Sequence, residues 1–160
     1  MNSKIKKMQN FMRYFKEETG KKEIQMHDVA GFALKKGWKL PPAISGLDRL
    51  AREFSRAARE EIRKDNKTGR PYRANHAYMV KQGNKQLTFW IDIDEADRKP
   101  MVKSVYLRRE QMVGDGLQLS LDLDHWNSIH PDEEPIAVEL DLTDDVEWRK
   151  NAPDEEKEAS

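Results

Sequence analysis

The sequence predicts an α+β fold. Three observations carry that expectation: apolar residues recur at helical spacing in three successive segments up to residue 64, the period changes to alternation on either side of Gly83-Asn84, and helical spacing returns from Asp97.

The first helix is expected over residues 4–18, where Ile5, Met8, Phe11, Met12 and Phe15 share a face and Gly20 follows as a C-terminal cap. Ile24 and Met26 suit a short strand. A second helix, capped by Asp28, carries Val29, Phe32 and Ala33 and stops at Gly37. Pro41 and Pro42 are tolerated in a first turn but not inside a helix, so the third helix is expected to open there and run to residue 64. Leu47, Leu50, Ala51, Phe54, Ala58 and Ile62 form its apolar face. Residues 72–80 and 86–91 then read as two strands joined by a primed turn at Gly83-Asn84, with Leu87, Phe89 and Ile91 on the buried side.

From Asp97 a long helix is expected, with Met101, Val105, Met112, Leu119, Leu123 and Trp126 along one side and Gly114 and Gly116 interrupting it. The piece LQLSLDLD also alternates strictly, so a strand competes over residues 117–124; the seven-residue spacing across the glycines favours helix. Ile136, Val138, Leu140 and Leu142 alternate as a short strand, and a brief helix capped by Thr143 follows. The domain reading is therefore a first domain over residues 1–96, a helical extension over 97–150 with a short strand and helix, and a disordered acidic tail over 151–160.

Formal charge sums to zero, but it is separated along the chain. Residues 1–86 hold 21 Lys and Arg against 9 Asp and Glu, a net +12, and residues 87–160 hold 8 against 20, a net −12. Such asymmetry points to a nucleic-acid or membrane contact on the basic side and a tail or partner site on the acidic side. The absence of cysteine excludes disulfides, thiol nucleophiles and cysteine-ligated zinc. No apolar run approaches the roughly 20 residues of a membrane span, and the amino terminus lacks a signal-peptide core, so no membrane partner and a cytoplasmic location are expected.

No cofactor or metal is expected: His27, His76, His125 and His130 match no ligand spacing with Asp122 and Asp124, and VGDGLQ lacks the lysine and spacing of a phosphate loop. The acidic run Asp92, Asp94, Glu95 and Asp97 reads as helix capping in place of a nuclease site. No catalytic residues are found, and the chain is read as a non-enzyme.

The most distinctive pattern is the row Arg49, Arg52, Arg56, Arg59 and Arg63, nearly opposite the apolar face of the third helix. On a continuous helix it would span about 21 Å, several phosphate spacings of a duplex. Glu53 and Glu60 sit three and four residues from Arg49, Arg56 and Arg63, so part of the row can be neutralised locally, leaving Arg52 and Arg59 without so convenient a partner. A third arrangement has Asp122, Asp124, Asp132, Glu133, Glu134, Asp144 and Asp145 covering the arginines.

Helix, short strand, helix, helix and hairpin over residues 4–93 resembles the winged helix-turn-helix superfamily, three helices plus a β-hairpin wing. Here a long helix and an acidic carboxyl-terminal segment follow, and RREQMVGDGLQLSLDLDHWN looks similar to uncharacterised bacterial proteins. In the superfamily the third helix commonly enters the major groove by its amino-terminal half and the wing touches the backbone or the minor groove. The resemblance implies that Ser45, Arg49 and Arg52 meet bases or phosphates, that Arg56, Arg59 and Arg63 continue along the duplex, and that Lys81, Gln82 and Lys85 form the wing tip with Arg70 and Arg73 at its base. It implies a non-catalytic binder of double-stranded DNA, with RNA as the other candidate polyanion, the long helix as a homodimer element and the acidic segment as a site for a protein partner. The alternative is a protein–protein adaptor built on the same scaffold.

Overall fold

A computed structural model describes residues 3–152. The chain is α+β, with five helices and two antiparallel two-stranded hairpins among the described residues. It divides into two compact units, Met1–Glu53 and Phe54–Ser160.

In the first unit, α1 (Ser3–Thr19) ends where expected. Gly20 takes φ +68° and its N–H reaches Lys16 O at 2.8 Å, a conformation a side chain would resist. α2 (Met26–Lys35) starts earlier than the sequence suggested: Gln25 occupies the cap position, so Asp28 lies in the first turn, and Met26 opens the helix in place of the expected strand. Its end is a Schellman motif, with Trp38 N–H on Ala33 O (3.0 Å), Gly37 N–H on Leu34 O (3.1 Å) and Gly37 at φ +91°. The two helices meet through Phe11, Tyr14, Phe15, Phe32 and Trp38, whose contacting rings lie 5.2–6.0 Å apart at tilted or edge-on angles. Of these rings Phe15 is buried, and so are Val29 and Ala33.

α3 (Gly46–Glu60) is shorter at both ends than the expected 42–64. Its start is fixed by Ser45, whose Oγ accepts the Asp48 N–H at 3.1 Å and donates to Asp48 Oδ2 at 2.7 Å; the two prolines stay in the preceding non-helical chain. Its end is fixed by strand pairing. Ile62–Lys64 forms β1 against β2 (Pro71–Arg73), closed by Asp65 accepting the N–H groups of Lys67 and Thr68, so Ile62 and Arg63 leave the helix whose period they had continued. No α3 residue is buried: Leu47 and Phe54 on its apolar stripe are 78% and 68% exposed.

In the second unit, β3 (Asn75–Gln82) and β4 (Lys85–Asp92) pair in full register from Asn75↔Asp92 to Gln82↔Lys85. Gly83 at φ +58° opens the two-residue turn, as Gly83-Asn84 predicted. Tyr72 belongs to β2 and not to this hairpin. Between them Ala74 is fully buried, its N–H on Glu61 O and its carbonyl accepting Ile93 N–H. α4 (Arg98–Ile129) is continuous across both glycines, so residues 117–124 are helical, and it lies against β3 with the small Ser104 fully buried.

Residues 136–142 form no helix or strand and join no sheet; the Asn127 side chain holds Ile136 by both its N–H and its carbonyl, each at 2.9 Å. α5 (Thr143–Asn151) has Leu142 at its cap position. Thr143 is therefore its first residue and not its cap, and its N–H is taken by Asp141 Oδ1 at 3.1 Å. Residues 153–160, which make up most of the expected acidic tail, lie outside the described residues. No described helix is long and apolar enough to cross a membrane.

Candidate nucleic-acid interface

Each arginine of the row meets a different environment. Arg49 and Arg52 lie in the first unit; Arg56 and Arg59 continue α3 in the second. Ser45, implied as a DNA contact, serves as the N-cap of α3, its hydroxyl engaged by Asp48. Arg56 is exposed and pairs with Glu60 at 2.8 Å, one turn on, an arrangement that stabilises only weakly in water.

Arg63 is removed from the row altogether. In β1 its guanidinium contacts Asp92 Oδ2 at 2.7 Å, Asp94 Oδ2 at 2.8 Å and Glu61 Oε1 at 3.0 Å. Asp94 also accepts the Tyr72 hydroxyl, and Glu61 accepts the Asn75 amide at 2.7 Å. The acidic run after β4, read in the sequence as helix capping, is thus in part the counter-charge of Arg63. Three carboxylates engage a guanidinium that the sequence reading places along the duplex, and in the fold it clamps β1 to the end of β4.

This clamp has a pH signature. The Asn75 amide and Arg63 hold the Glu61 carboxyl below its ordinary range; the Asp94 N–H and Arg63 do the same for Asp92. A carboxylate depressed in the folded state contributes stability that is present above its unfolded pKa, about 4, and is lost as pH falls through the folded value. Urea midpoints of the wild type are expected to fall on acidification below about pH 4.5, and Arg63→Ala to show lower midpoints at neutral pH with a shallower acid slope. An equal slope in both proteins would contradict the clamp.

The remaining cations converge elsewhere. Arg59, Arg73 and Arg108 line a cavity of about 300 Å³ together with His76, Trp90 and Gln111. The Arg59 guanidinium stands 5.3 Å from the Trp90 ring centroid. The ring orients the cation without neutralising it, as a carboxylate would. Among the described residues no carboxylate lies within ion-pair distance of these three arginines. His76 is buried and its Nε2 sits 2.9 Å from Arg73 O, a structural contact that fixes the backbone beneath the Arg73 side chain.

Strand register sorts the hairpin tip. Ala77 opposes Trp90, Met79 opposes Thr88 and Lys81 opposes Gln86, so alternation puts Lys81 on the cavity face, about 7 Å beyond the lining residue Met79 along β3. Gln82 and Lys85 fall on the other face, with Tyr78 and Phe89 stacked at 6.0 Å. Arg70 donates to the Asn151 side chain at 2.7 Å and is tied to the end of α5. Of the expected contacts in the second unit, then, Arg59 and Arg73 come together, with Lys81 further along the same face of the hairpin. Arg108 and Gln111 join them from α4, and the sequence carried no signal for this because helical periodicity does not say which strand a helix packs against. No family model matches the chain, and neither a curated protein nor a solved structure matches it.

Proposed function

We propose that this chain binds double-stranded DNA without catalysing a reaction, using the basic face of its second unit, with the β3–β4 hairpin in the role of a wing. The observation that carries the reading is the convergence of Arg59, Arg73 and Arg108, none matched by a carboxylate among the described residues, around Trp90. Like charges brought together without counter-charge raise the local potential and favour an anion that spans them. A phosphate backbone suits this spacing because planar guanidinium groups bind phosphate oxygens in a fork. Phosphate contacts supply affinity and orientation; nothing in the arrangement favours reading one base over another.

With Arg59, Arg73, Arg108 and Lys81 each neutralising one phosphate, the logarithm of affinity should fall against that of salt with a slope of about −3.6. Fluorescence anisotropy with random duplex over a salt series measures it. A slope near zero would reject the proposal, and tighter binding of single-stranded RNA at the same salt would move it to that polymer. The adaptor reading, with a protein partner on the acidic segment, is favoured by no comparable convergence of groups.

A further inference from the structure

We propose that α4 pairs with α4 of a second copy of this chain, antiparallel, through a stripe formed by Val102, Tyr106, Val113, Leu117 and Leu121. At 100° per residue these five fall within about 100° of arc, the width of an ordinary helix-packing seam. All are exposed, Tyr106 at 62% and Leu117 at 60%. Leu142 and Val146 widen the stripe, lining with Val113 and Leu117 a groove of about 840 Å³. The helix is about 48 Å long, enough for a seam of several turns.

Charge complementarity identifies the occupant. α4 divides at its midpoint: residues 98–113 hold Arg98, Lys99, Lys103, Arg108 and Arg109 against Glu110 alone, whereas residues 114–129 hold Asp115, Asp122 and Asp124 and no Lys or Arg. A partner whose charge runs the opposite way along the same length fits this helix, and α4 reversed about its own midpoint is such a partner. Parallel pairing would set like against like at both ends, at a cost. A twofold axis near Val113 and Gly114 brings Tyr106 of one copy beside Leu121 of the other, and Lys103 beside Asp124, at both ends of the seam. Such an interface is self-complementary, as closed twofold dimers require. It does not depend on DNA binding.

The full chain without nucleic acid is the material for the test. Sedimentation equilibrium of the wild type should give a dimer. Lys103→Glu should weaken it by about tenfold or more, Asp124→Lys likewise, and an equimolar mixture of the two variants should recover dimerisation, since each interface end then carries opposite charges. Cross-linking fixes the direction in a chain without cysteine: Tyr106→Cys should form a disulfide with Leu121→Cys in a mixture and not with itself. A monomer at every concentration reached, a mixture no tighter than either variant, or Tyr106→Cys linking to itself would each overturn the proposal. Mutual rescue in the mixture cannot arise from misfolded variants.

Discussion

Replacing Arg59 and Arg108 together by glutamate is expected to weaken duplex binding by about two orders of magnitude at roughly 50 mM salt, and to flatten the salt slope from about −3.6 to about −1.8. Each lost phosphate contact removes about 0.9 from the slope, which near 50 mM corresponds to roughly fifteenfold in affinity, before repulsion by the new carboxylates is counted. The effect should concentrate at these positions because both line the cavity and neither has a carboxylate of its own. Lys85→Glu provides the comparison. It lies on the opposite face of the hairpin, so its slope should change by less than one contact. Anisotropy titrations of the three proteins distinguish a local ridge from diffuse attraction: if Lys85→Glu matches the double variant, the cavity has no special place in binding.

The second large effect concerns stability. Phe15→Ala is expected to destabilise the α1–α2 pair by about 3–5 kcal/mol, the usual cost of deleting a buried aromatic ring. Phe15 is buried, packs edge-on to Phe32 at 5.4 Å, and shares its interior with only Val29 and Ala33 among the buried residues of that unit. So small an interior has little to redistribute around the cavity. Phe15→Leu keeps most of the volume and should cost about 1.5 kcal/mol or less. Urea denaturation followed by circular dichroism separates the two variants; a loss below about 1 kcal/mol for the alanine would show that the ring cluster holds the helices without Phe15.

What the sequence revealed was mostly what local chemistry decides. Gly20 and Gly37 stop their helices by taking a positive φ, and Gly83-Asn84 turns the hairpin for the same reason. The long helix was legible over two glycines because a seven-residue spacing outlasts them. Errors arose where a distant partner competes with a local pattern. Ile62 and Arg63 continue the helical period of α3, yet pairing with Tyr72 and Arg73 and three carboxylates on Arg63 draw them into a strand. Ser45 looked like a ligand contact and is a cap, two uses of a serine that only the neighbouring Asp48 distinguishes. The basic cavity was half legible: Arg59, Arg73 and Lys81 stood out as charges, but Arg108 joins them through tertiary packing alone.

The irregular run after α4 carries a liability. Ile136, Val138, Leu140 and Leu142 alternate along a main chain that no strand covers, the pattern from which cross-β fibrils grow when another chain docks edge to edge. Pro135 interrupts that edge at one end, and Glu139 and Asp141 stand between the apolar positions as gatekeepers. Thr143 holds the Asp141 carboxyl below its ordinary range, so its charge outlasts that of a free aspartate as a solution is acidified. Protection from self-templating in this part of the molecule therefore rests on ionisation, and it lapses where the carboxylates are neutralised.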